Sequence, residues 1–170
     1  MLLWHTLATY FRRKYGVRVQ KIPLDAGATC PNRDGTLSAR GCIFCNDSGS
    51  GSGMGLRGLG LRAQWDAWYT KYTTTDSDRL FMAYLQSFSN TYGPASRLAH
   101  LLEQVAALPG CRGIAVGTRP DCLDGEKLAL LAGCGGTPSN TETGTPSTGD
   151  PDLEDEISGF EWNQNVRIVL

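Results

Sequence analysis

The sequence predicts an α/β fold built on a parallel sheet, and three observations carry that expectation. Strand-type and helix-type patterns alternate through residues 1–136, the order expected when parallel strands are joined by helical crossovers. Two of the strand segments, RLFMAYLQSF and RGIAVG, are short continuous apolar runs, as in sheets covered on both faces. The length, 170 residues with 41% apolar and 19% charged, suits one globular domain.

Along the chain, residues 1–15 read as a helix, with Leu3, Leu7, Tyr10, Phe11 and Tyr15 near helical spacing. Gly16 is placed to end it. Residues 17–24, VRVQKIPL, carry β-branched residues in alternation and read as the first strand. A long loop follows, in which Asn32-Arg33-Asp34-Gly35 is a turn signal. The segment NDSGSGSGMGLRGLG is too rich in glycine and serine for a core strand and is expected to be flexible. LRAQWDAWYTKY reads as a helix with Leu61, Trp65, Trp68 and Tyr72 on one face. Residues 79–88 form the second strand. A helix over 96–108 has Leu98, Leu101, Leu102, Val105 and Leu108 as its apolar stripe and Arg97, His100, Glu103 and Gln104 toward water, with Pro109-Gly110 stopping it. Residues 112–117 form the third strand. Asp124 caps a last helix carrying Leu128, Leu131 and Ala132.

The pattern stops near residue 136. Residues 1–136 carry fifteen Lys and Arg against ten Asp and Glu, whereas residues 137–170 carry one Arg against seven acids. The tail, 137–170, is Thr, Ser, Pro, Gly and acid, and is expected to be disordered because it cannot bury enough surface to offset chain entropy. Its last residues contain strand-type sequence, with nothing to tie it to the body.

No apolar run approaches the ~20 residues of a membrane span. The N-terminal segment lacks a small-residue cleavage site, and its basic residues follow its apolar ones. No signal peptide is expected, which places the chain in the reducing cytoplasm and makes its six cysteines free or metal-bound rather than paired.

Three of those cysteines, Cys30, Cys42 and Cys45, lie in the loop after the first strand with the spacing C-x11-C-x2-C. In parallel α/β folds, ligands sit at the carboxyl ends of strands. The loop is therefore expected on that rim, together with QSFSNTY after the second strand and GTRPDC after the third. Thiolates suit both zinc and iron–sulfur clusters. Spacing alone leaves structural zinc as the leading reading, completed by Cys111, Cys122, Cys134, His5, His100 or water. An iron–sulfur cluster and unligated thiols stay open beside it.

Four ordered segments carry a resemblance: KIPLDAGATCPNRDG, GCIFCNDSGSG, FMAYLQSFSNTYGP and GIAVGTRPDCL. Together they resemble the radical S-adenosylmethionine (SAM) enzymes, and within them the YtqA/YhcC-like group related to the catalytic subunit of Elongator. The resemblance spans roughly residues 4–134. It implies that Cys30, Cys42 and Cys45 ligate a [4Fe-4S] cluster whose fourth iron is left to SAM. It implies reductive cleavage of SAM to a 5′-deoxyadenosyl radical, and an electron donor such as a flavodoxin or ferredoxin. The aromatic residue before the last cysteine, Phe44, together with Gln86 and Arg119, is expected near the cofactor. The fold it implies is an incomplete partial (β/α) barrel of about three βα units, shortened at its C-terminal half as if truncated or frame-shifted. A sheet that small is expected to leave an open edge and an uncovered apolar face.

Each of these residues also has a structural explanation. Gln86 and Asn90 fit either hydrogen bonds to SAM or substrate or strand-end polar groups meeting solvent. Arg119 and Asp121 fit a buried pair holding a turn. The glycine and serine residues from 48 to 55 fit either close backbone approach to a cofactor or a plain linker. Cys111, Cys122 and Cys134 fit small buried or free thiols. The basic run 12–21, RRKYGVRVQK with aromatic neighbours, fits a solvated helix face or phosphate contacts. The Elongator relationship makes the wobble uridine of tRNA the leading substrate.

Overall fold

The computed structural model describes residues 6–74, 78–133 and 168–169. Its elements run α1 (Leu7–Tyr15), β1 (Arg18–Leu24), α2 (Leu61–Thr73), β2 (Arg79–Leu85), α3 (Ala95–Ala106), β3 (Cys111–Val116), α4 (Gly125–Gly133) and β4 (Ile168–Val169). The strands form one sheet in the order β1-β2-β3-β4, parallel throughout. Among the described residues the sheet does not close; the predicted α/β class holds, and the described elements form an open βα array. Most of the expected tail lies outside the described residues. Its two-residue β4 pairs with Ile114 and Ala115 of β3, so the expectation that nothing ties the C-terminus to the body is corrected.

Strand alternation sorts the side chains into two layers. Ile22 and Leu24, Phe81, Ala83 and Leu85, and Ile114 and Val116 face the main core. There they meet Trp65 of α2, the Leu98, Leu101, Leu102 and Val105 stripe of α3, and Leu131 of α4. On the opposite face Met82 and Ala115 pack under Phe11 of α1, flanked by Tyr10, Tyr15, Val19 and Tyr84. That second face is thus partly covered by α1, where an uncovered face was expected. Two apolar residues assigned to helix faces stand in solvent instead: Leu7 and Leu128. Both lie in the first turn of nine-residue helices.

Local signals account for the helix ends. Thr6 accepts the Thr9 N–H at 3.1 Å, and the Gly16 N–H closes α1 on the Arg12 carbonyl. Asp124 caps α4: its Oδ1 accepts the Lys127 N–H at 2.9 Å, and its Oδ2 lies 2.8 Å from the Lys127 ammonium. The Lys127 side chain, then its backbone N–H, holds the Asp124 carboxyl below its usual 3.8. A carboxyl lowered in the folded state stabilises above its unfolded pKa and loses that contribution as pH falls through the folded one. The cap should therefore contribute fully at neutral pH and fade below pH 3.8. Asp124→Asn should lower the thermal midpoint at neutral pH and converge on the parent in acid. A constant offset across that range would contradict the assignment.

Candidate functional site

Because the strands are parallel, with Leu24 opposite Leu85 and Leu85 opposite Val116, their carboxyl ends open on one edge. All three predicted rim segments meet there. After β1 the buried Asp25 is fixed by Gln64 of α2. The Gln64 Oε1 accepts the Asp25 N–H at 2.8 Å, and its Nε2 donates to the carbonyls of Asp25 and Leu59 at 2.9 and 2.7 Å. Gln64 is fully buried. A glutamine beside an apolar helix face gives no sequence signal for this task.

Cys30 is buried at the rim. Its sulfur accepts the Ser89 hydroxyl at 3.5 Å, and the Ser89 N–H bonds back to the Thr29 carbonyl at 3.2 Å. The Cys30 carbonyl accepts the N–H groups of Arg33 and Asp34 at 2.8 and 3.2 Å, which realises the predicted turn. Cys42 and Cys45 are half-buried on one tight turn, the Cys45 N–H on the Cys42 carbonyl at 3.0 Å. Each has its own donor: Asn32 Nδ2 to Cys42 Sγ at 3.0 Å, and Ser50 Oγ to Cys45 Sγ at 3.6 Å. Between them Ile43 and Phe44 project into solvent, Phe44 at 80% exposure.

The glycine-rich segment is neither a linker nor a bare cradle. It packs on the protein's own rim: a Cβ on Gly51 would sit 1.8 Å from Ser87 Oγ, and one on Gly55 2.6 Å from the Asp25 carboxyl carbon. The Phe88 N–H bonds the Gly49 carbonyl at 3.1 Å. A short 3-10 turn over Gly55–Arg57 completes the path to α2.

After β2, Gln86 is half-buried on this edge. Asn90 departs from the solvent-facing expectation. It is fully buried, and its Nδ2 donates to the carbonyls of Leu85, Ser87 and Gly117 at 2.9, 3.2 and 2.9 Å. Its amide nitrogen is thus occupied in joining the ends of β2 and β3. The Asn90 Oδ1 and Ser87 Oγ are buried without a hydrogen-bond partner among the described residues, one acceptor and one hydroxyl able to donate or accept at the carboxyl edge. Arg97, expected in solvent, instead donates to the carbonyls of Asn90 and Ala26, both at 3.3 Å.

After β3, Arg119 and Asp121 pair through two hydrogen bonds of 2.9 and 2.6 Å. The pair forms as expected but is partly exposed, Arg119 at 31% and Asp121 at 50%. The Arg119 hydrogen bonds draw the Asp121 carboxyl below its ordinary range, and Asp121 in turn pushes Arg119 up. Cys122 is buried; burial, then the Asp121 charge, pushes its thiol up. Burial does the same to Cys111. Both suit inert thiols. Cys134 and His5 lie outside the described residues.

The donor chemistry fits a soft metal or cluster: three free thiols on one loop at the carboxyl edge of the sheet. The positions do not yet match it. Among the described residues no three His, Cys, Asp or Glu side chains form a group able to hold a metal ion. The sulfurs must close on one another for a single site to use all three. Among the described residues no helix is long and apolar enough to cross a membrane.

No family model matches the chain, and no solved structure matches it. Curated proteins do. The chain is 40% identical over 129 residues to YtqA, an uncharacterized protein of Bacillus subtilis, covering 76% of this chain and 40% of YtqA. It is 32% identical over 120 residues to YhcC of Escherichia coli K12, covering 70% of this chain and 37% of YhcC. An uncharacterized protein of Methanocaldococcus jannaschii is 29% identical over 126 residues. The chain spans 40% or less of the length of these relatives. Over roughly three quarters of its own length, this α/β chain is similar to the YtqA/YhcC-like proteins of bacteria and archaea.

Proposed function

We propose that the chain carries the cofactor-binding portion of a radical SAM enzyme of the YtqA/YhcC-like, Elongator-related kind, with Cys30, Cys42 and Cys45 as ligands of a [4Fe-4S] cluster. The observation that carries this is the placement of three free thiols on one loop springing from the carboxyl end of β1. When bound, a three-cysteine cluster with SAM supplies one-electron reductive cleavage of SAM and a 5′-deoxyadenosyl radical. The chain's residues would bind and orient. Ser89 holds the Cys30 sulfur at the rim. Asn90 locks the β2 and β3 ends together. The glycine-rich segment packs against Ser87 and Asp25 and keeps water from the floor beneath. Phe44, Gln86 and Arg119 stand on this edge as the cofactor-facing residues, and Arg119 offers its exposed side while Asp121 fixes its orientation.

The partners follow from the same reading. A cytoplasmic flavodoxin or ferredoxin would supply the electron. The substrate would be the wobble uridine of tRNA, supported by exposed Arg12, Arg13 and Lys14 on α1 and by Lys21 over the Tyr84 ring at 4.6 Å.

Anaerobic reconstitution with iron and sulfide tests the proposal. The expected product is brown, absorbs broadly at about 400 nm, and loses its colour in Cys42→Ala while keeping its far-UV circular dichroism. A colourless protein holding one equivalent of zinc would replace the enzyme by a structural zinc knuckle.

A further inference from the structure

Arg33 lies between the two halves of the cysteine loop. Its Nη2 donates to the carbonyls of Asn46 and, at 3.5 Å, Cys45; its Nη1 donates to that of Asp47 at 3.4 Å. Its guanidinium carbon stands 5.4 Å from the centre of the Phe88 ring. Gly41 runs beneath it, where a Cβ would come within 3.1 Å of Nε. Phe88 is held at φ 60, a left-handed conformation unfavourable for a bulky side chain. Its ring fills the space over Gly49, whose Cβ would fall 2.6 Å from it. A strained aromatic, a bare glycine on each side and a planar cation on three successive carbonyls converge on the residues that follow Cys42.

We propose that Arg33, lying over the Phe88 ring, is a positioning residue that anchors the C-terminal half of the Cys42–Cys45 turn to the end of β2 and so fixes where Cys42 and Cys45 stand relative to Cys30. The inference rests on the proposed use of the three thiols as one site. A fork of N–H donors can satisfy several carbonyls at once while its flat face covers a ring, and a lysine ammonium cannot do both. Without the anchor, Cys42 and Cys45 still neighbour each other through their own turn but lose their fixed relation to Cys30.

Two measurements on the full chain separate this inference from the reading beneath it. In the metal-free protein, Arg33→Ala should speed amide hydrogen exchange in residues 42–49 by about tenfold or more, with β1, β2 and β3 unchanged. Arg33→Lys and Phe88→Leu should give smaller increases in the same segment, and they serve if the alanine variant does not fold. After reconstitution with iron and sulfide, peptide mapping of iodoacetamide-labelled thiols should find Cys42 and Cys45, half-buried in the metal-free chain, protected in the parent and labelled in Arg33→Ala. Unchanged exchange in 42–49 across all three variants would overturn the anchor. Accelerated exchange in the variants, together with a parent that takes up no iron, would overturn the cluster and leave the anchor standing.

Discussion

Trp65→Ala is expected to lower the unfolding free energy by about 3–5 kcal/mol, a large share of the ~5–15 kcal/mol that holds an ordinary domain together. The indole has no exposed surface. It stacks on Tyr69 with ring centres 5.7 Å apart, meets Phe81 edge-on at 6.5 Å, and donates its Nε1 proton to the Pro109 carbonyl at 3.0 Å. Alanine would open a cavity between α2 and the sheet and free that carbonyl. Trp65→Phe should lose mainly the hydrogen bond, about 1–2 kcal/mol. Urea unfolding followed by far-UV circular dichroism separates the two. Equal midpoints for both variants would mean that the cavity is not the dominant cost. Since α2 also presents Gln64 to Asp25, partial unfolding of this helix should loosen the β1 end of the candidate site.

Gly49→Ala should damage the loop severely, costing about 2–5 kcal/mol from two independent sources. Gly49 has φ 62, and an added methyl would stand 2.6 Å from the Phe88 ring. That ring is itself held in a strained backbone position and under Arg33, so it cannot easily yield. Gly58→Ala provides the control. It shares the left-handed backbone, at φ 75, but has nothing within 4 Å of the new carbon, so it should cost only about 1–2 kcal/mol. If the two variants unfold at the same urea concentration, the packing of Gly49 on Phe88 contributes nothing and the rim is looser than described.

These two changes mark different degrees of legibility. Trp65 could be named from the sequence, because Leu61, Trp65, Trp68 and Tyr72 fall on one helical face and period alone tells which residue seeks the core. The same holds for the α3 stripe and for the continuous apolar runs of β2 and β3. The cap at Asp124 and the stop at Gly16 are equally local, each decided within one turn of chain. Gly49 gave a weaker signal. A run of glycine and serine announces freedom of the backbone, but whether that freedom serves flexibility or close packing depends on what lies opposite. Here the opposite wall is Phe88, Ser87 and Asp25, from other parts of the chain.

By itself, the sequence was enough for the alternation of strands and helices, for the parallel sheet, and for the three cysteines on the loop after β1, because periodicity and spacing act between near neighbours. Tertiary structure alone decided which polar residues hold the rim. Asn90 and Arg97 look like surface groups in sequence, yet each also bonds a carbonyl far along the chain, Gly117 and Ala26 respectively, and Gln64, Ser89 and Arg33 acquire their roles only when β1, β2 and α2 come together. A buried polar group is defined by its partner, and partners tens of residues away leave no trace in local pattern. For the same reason C-x11-C-x2-C announces three ligands, while the closeness of their sulfurs is a property of the folded loop.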